Sequence, residues 1–122
     1  MKDFRTLKVW EKAHSLALSV YKLTQPFPKH QLYGLTSQMR RAAASIPANI
    51  AEACGRSGSG EFHRFLSVAM GSAVELDYFL LLTQDLQMIG TDVYESANQQ
   101  VLEVQPMLGS LIRTVEAARR SS

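Results

Sequence analysis

The sequence predicts an all-α fold, an antiparallel up-down four-helix bundle. Three observations carry this expectation. Apolar residues recur at spacings near 3.6 in four segments, with no strand-like alternation of useful length. The breaks between segments are short and marked by proline or glycine. The chain has 122 residues, 46% hydrophobic and 20% charged, which suits one domain with a real core. Helices are expected at about 6–24, 35–54, 61–89 and 93–119 of a single domain covering 1–122. Amphipathic helices joined by short loops bury their stripes most simply against one another.

The first segment places Trp10, Ala13, Ala17, Val20 and Thr24 on one face, with Val9, Leu16 and Leu23 beside it. Gln25-Pro26-Phe27-Pro28 ends it, because proline removes a donor and biases its predecessor toward extended geometry. The second segment stops at Gly55. Pro47 inside it predicts a kink, or else two shorter helices meeting at Ile46-Pro47. The third follows the linker GRSGSG, with Ser59 as its expected N-cap and Gly90 as its stop. Its stripe is Phe62, Leu66, Ala69, Ala73, Leu76, Leu80 and Thr83; Phe79, Leu82, Leu86 and Ile89 widen it, so burial on more than one side is expected. The fourth opens with Asp92-Val93-Tyr94-Glu95, a carboxylate capping box. Tyr94, Ala97, Val101, Val104, Leu108, Leu111 and Val115 then form a heptad seam interrupted by Pro106.

Composition excludes several classes. The single cysteine, Cys54, cannot close an intrachain disulfide, which fits a reducing, cytoplasmic setting. The first ten residues carry no apolar signal core, and no run approaches the roughly 18 apolar residues of a membrane span. The best candidate, Phe79–Leu82, stops at Thr83, Gln84 and Asp85. The net charge of +2 is too small for a strongly basic nucleic-acid binder. Chemistry is also missing. His14, His30 and His63 are scattered, Cys54 has no ligand at metal spacing, and GRSGSG matches no phosphate-binding glycine motif. Ser57, Ser59 and Ser72 have no visible base. No catalytic residue, metal, cofactor or small-molecule substrate is expected, and Cys54 reads as a small core hydrophobe.

The second helix has three distinct sides. Met39, Ala43, Ile46, Ile50 and Ala53 face the expected core. Gln38, Arg41, Ser45, Asn49, Glu52 and Arg56 form a polar stripe about 120° away. Ala44, Ala48, Ala51 and Gly55 form a small-residue side, which admits a close neighbour within the chain or from another copy. Its plainer explanation is that alanine is the best helix former on an exposed face. In the polar stripe, Glu52 and Arg56 are spaced as an i,i+4 pair, and Arg41 is expected to reach Glu75 on the third helix. The stripe either fixes helix register or contacts a ligand; the favoured, plainer explanation is local capping around the Pro47 kink with a solvated edge.

Charge is unevenly distributed. Residues 1–64 hold ten Lys and Arg against four Asp and Glu, while 65–122 hold three against seven. Arg5, Lys8, Lys12 and Lys22, with Ser15 and Ser19, form a stripe on the first helix. Arg40, Arg56 and Arg64 are expected around the GRSGSG loop. Together these are a candidate phosphate-contacting surface for RNA or a nucleoprotein. The competing explanation is mutual attraction of basic and acidic helices. Phe4 and Trp10 fit the core, which leaves no clear aromatic for base stacking.

Residues Gln38 to Glu52, QMRRAAASIPANIAE, resemble the signature of the small four-helix proteins encoded within intervening sequences of bacterial 23S rRNA genes. Phe4-Arg5-x-Leu7-x-Val9-Trp10, Phe65-Leu66-x-x-Ala69-x-Gly71-Ser72-x-x-Glu75-Leu76 and Met107-Leu108-x-x-Leu111-Ile112 fit the same pattern. Ala53-Cys54 stands where glycine commonly follows the Ala-Glu pair, and Pro106 precedes the closing motif. The resemblance implies a ring-like homo-oligomer, a homopentamer. It also implies relatives that serve as accessory variability determinants of diversity-generating retroelements, binding a reverse transcriptase and RNA through a basic surface. A protein-interaction scaffold with no nucleic-acid role is the alternative.

Overall fold

The four periodic segments become four helices in the computed structural model, which describes residues 3–121. They are α1 (Lys8–Thr24), α2 (Ser37–Cys54), α3 (Ser59–Asp85) and α4 (Thr91–Ser121). A 3₁₀ turn, Phe4–Thr6, precedes α1; a second, Lys29–Gln31, and a π turn, Leu32–Thr36, precede α2. No strand occurs among the described residues. α2 packs on α3, α3 on α4, α1 on α2, and α1 also touches α4.

The predicted stripes make the core. Met39, Ala43, Ile46, Ile50 and Ala53 are fully buried, as are Leu66, Ala69, Ala73, Leu76 and Leu80 of α3. Ala97, Val101, Val104 and Leu108 of the heptad seam are buried, with Tyr94, Leu111 and Val115 packed at its margin. α2 and α4 each run unbroken through their prolines, so the two-helix alternative at Ile46-Pro47 does not occur. Gly55 caps α2 as expected, its N–H reaching the Ala51 and Glu52 carbonyls.

Three helix ends differ from expectation. α3 starts at Ser59, so Gly58, not Ser59, is its N-cap. α3 ends at Asp85, before Gly90, because Gln87 adopts φ 61°. The Gln87 N–H donates to the Gln84 carbonyl and the Met88 N–H to the Thr83 carbonyl, both at 2.9 Å. This is the Schellman pattern, with glutamine where glycine is the usual occupant. α4 starts at Thr91, so Asp92 lies inside the first turn and cannot act as the cap of a capping box. Its carboxylate there faces the positive end of the helix dipole.

α3 also corrects two expectations. It buries one stripe, not two sides: Phe79 and Leu82 are half-buried, Leu86 is 55% exposed, and Val74, Tyr78 and Leu81 are exposed. And its 27 residues are long and apolar enough to cross a membrane by length and composition. The stripe Leu66–Leu80 instead packs against α2 and α4, as a core helix does.

Candidate functional site

The small-residue side of α2 meets α1 in an open apolar groove. Ala44, Pro47, Ala48 and Ala51 form one wall; Phe4, Trp10, His14, Leu18 and Tyr21 form the other. Phe4 and Trp10 are therefore groove residues at the core's edge, only half-buried. Their rings meet at 4.9 Å, and His14 stacks on Trp10 at 4.9 Å with the planes 8° apart. Such contacts fix a rigid aromatic wall. Ala48 is exposed, while Leu18 and Tyr21 are 52% and 45% exposed. Alanine on α2 keeps the groove open; a longer side chain at 48 would fill it.

The polar stripe divides. Ser45 and Asn49 bracket Pro47: the Asn49 side-chain amide donates to the Ser45 carbonyl and hydroxyl, each at 2.8 Å. The Ser72 hydroxyl of α3 donates to the Ser45 hydroxyl at 2.8 Å. This network ties α2 to α3 and supplies local partners around the proline. The spacing of the small run Ala69-Met70-Gly71-Ser72-Ala73 on the third helix suggests a neighbour for the small-residue side of α2 or a contact with another copy; Ser72 of that run instead meets the polar stripe, at Ser45. Arg56 pairs with Glu52 at 3.0 Å, as its spacing predicts. Arg41 and Glu75 are both exposed and form no ion pair with each other among the described residues.

The predicted basic surface does not converge. Arg5 pairs with Asp3 at 3.4 Å and lies over the Phe4 ring. Lys12 reaches Glu103 of α4 at 3.2 Å. Arg56 and Arg64 both lie over Phe65, and each is paired with a carboxylate, Arg64 with Glu61 at 3.0 Å. The hydrogen bond from Arg64 holds the Glu61 carboxyl below its ordinary value, and Arg64 is raised in turn. Arg40 is not near the GRSGSG loop. It stands 16 residues before Arg56, about 24 Å along α2. There its Nε donates to the Thr24 hydroxyl at 2.8 Å and its Nη2 to the Tyr21 carbonyl at 3.3 Å. Lys8 and Lys22 are exposed and form no ion pair among the described residues. The Lys12–Glu103 contact joins the basic and acidic halves, the behaviour of attracting helices.

No group of three or more His, Cys, Asp or Glu that could hold a metal occurs among the described residues. Cys54 is buried. His63 lies 3.2 Å from Glu116, joining the start of α3 to the end of α4.

No curated protein matches the chain. Among solved structures, a protein of unknown function from the S23 ribosomal protein family of Bacteroides thetaiotaomicron VPI-5482 is similar, with a TM-score of 0.80 and 29% identity. The similarity covers 86% of this chain and 95% of that one. The family model for 23S rRNA-intervening sequence proteins matches residues 5–110. The chain belongs to the 23S rRNA-intervening sequence protein family.

Proposed function

We propose that this protein is a non-enzymatic scaffold: an up-down four-helix bundle that self-associates into a ring through the α1–α2 groove. The groove carries the reading. It is apolar, rigid on its aromatic wall and lined by alanine on the other, features of a surface that another helix covers. A ring needs two different, complementary patches on each copy. The chain offers a second one, the exposed ridge of Val74, Tyr78 and Leu81 on α3. A homopentamer, as the family resemblance implies, is the expected assembly. Sedimentation of the intact chain tests it: the wild type runs as a multiple of 13.6 kDa, and Ala48→Arg, which places a cation in the groove, runs as a monomer with unchanged helicity.

A second reading, binding of RNA or of a nucleoprotein such as a reverse transcriptase, rests on Lys8 and Lys22, which have no carboxylate partner among the described residues. A ring would repeat these charges around its circumference. Filter binding of structured RNA checks this. Affinity at about 50 mM salt that falls with rising ionic strength supports it, and loss of that affinity in the double variant Lys8→Glu, Lys22→Glu locates it. Absence of binding at that salt leaves the scaffold reading alone.

A further inference from the structure

One glycine has no use within its own chain. Gly71 stands in the interior of α3, a helix of 27 residues. Glycine is costly there, because it surrenders more conformational freedom on folding than any other residue. Its backbone is not left-handed, so no special φ calls for it. It is exposed, and a Cβ added to it would meet nothing within 4 Å. A helix surface kept bare and open to the outside lets a second helix come close.

Gly71 begins a row on the exposed side of α3. Gly71, Val74, Tyr78, Leu81 and Asp85 follow at steps of three, four, three and four, and all five are exposed. Such steps place residues in line along a helix. The α2 wall of the groove carries a row with the same steps: Arg41, Ala44, Ala48, Ala51 and Gly55. Each row is about 21 Å long at the α-helical rise.

The two rows are opposites in size and charge. The centre of one is large, at Val74, Tyr78 and Leu81, where the centre of the other is alanine. Each row has a glycine at one end and a charge at the other, Asp85 on α3 and Arg41 on α2. Neither charge forms an ion pair among the described residues. Laid antiparallel, the rows bring glycine to glycine, each large side chain to an alanine, and Asp85 to Arg41. Laid parallel, each charge would meet a glycine and stay unpaired.

We propose that copies of this chain join in that one antiparallel register, with Gly71 of one copy at Gly55 of the next, Tyr78 at Ala48 and Asp85 at Arg41. This rests on the reading that the α1–α2 groove is the assembly surface, and it names what fills the groove and in which direction. The alanines receive the large side chains, the glycines let the backbones approach, and the ion pair at the rim selects the direction.

Sedimentation equilibrium of the intact protein over a dilution series tests the register, read as the concentration at which the assembly half-dissociates. Arg41→Asp and Asp85→Arg each raise that concentration severalfold, because each sets like charges face to face. The double variant, with the signs exchanged, returns it to within about twofold of the wild type. Gly71→Leu raises it by roughly tenfold or more, since the added side chain occupies the space of the neighbouring helix. In the Ala48→Arg background, expected to be single chains, Gly71→Leu leaves the melting temperature unchanged or higher, because leucine is the better helix former and meets nothing in its own chain. A lowered melting temperature there, a double variant no tighter than its parents, or a Gly71→Leu protein that assembles as the wild type does overturns the register and leaves the groove reading standing. A wild type that sediments as one chain, or an assembly that Ala48→Arg does not disturb, removes the groove reading and the register together.

Discussion

Two faces of α2 are apolar, and they differ in what covers them. Met39, Ala43, Ile46, Ile50 and Ala53 are sealed within the same chain, where α1 and α3 pack on α2. Ala44, Ala48 and Ala51 face a groove that the chain leaves open. The first face sets methionine and isoleucine among alanines, filling space; the second is alanine with one proline, making space. Size separates an apolar surface that closes a core from one that admits a neighbour. This comparison is the basis for assigning stability to one face and assembly to the other.

Breaking the sealed face has the largest expected effect. Ile50→Ala leaves a cavity where no part of the side chain is exposed, and should lower unfolding free energy by about 2–5 kcal/mol, measured by urea denaturation. The m-value should stay unchanged, because the fold does.

A smaller effect of opposite sign is expected at the α3–α4 turn. Gln87 holds a left-handed conformation that disfavours a side chain by about 1–2 kcal/mol. Gln87→Gly removes that penalty but loosens the unfolded chain, so a net gain of up to about 1 kcal/mol is expected, seen as a melting temperature higher by a few degrees.

The smallest effect concerns the exposed Glu61–Arg64 pair, which lies on neither apolar face. The Glu61 carboxyl is lowered in the folded chain, so its contribution is present above the ordinary carboxylate value and is lost as pH falls through the lowered one. Both side chains are exposed, and solvent screens them. Glu61→Gln should leave the melting temperature at neutral pH unchanged within error, and remove only a slight acid dependence in thermal melts taken across the carboxylate range.

Much of the fold was legible because periodicity reports burial directly. Every residue assigned to the core side of α2 is fully buried, and the seam of α4 lies where its spacing put it. The ends of helices were less legible. Gly90 and the Asp92 capping box are sound local signals, yet the chain turns at Gln87, because two backbone bonds and the burial of Ile89 outweigh the strain at one residue. The π turn at Leu32–Thr36 has no sequence signature of its own, so a buried Thr36 hydroxyl without a partner among the described residues could not be foreseen.

The candidate site was legible in part. The small face of α2 could be read from alanine spacing, but not the aromatic wall opposite, since Trp10 and Phe4 look like core residues in one dimension. Charged residues were the least legible. A stripe of cations says nothing of nearby carboxylates, and Asp3, Glu103, Glu52 and Glu61 neutralise four of the residues expected to meet phosphate. Arg40 shows the same limit differently: its position on α2, near the end of α1, makes it a staple between helices.

The contrast between the two faces of α2 is tested most directly by the mass of the protein in solution, measured by sedimentation equilibrium at micromolar concentration for wild type and Ala48→Arg. The account predicts a defined multiple of 13.6 kDa, five-fold for the expected ring, for the first and 13.6 kDa with an intact melting transition for the second. A wild type that sediments as a single chain, or an Ala48→Arg variant that keeps the full assembly, would contradict it.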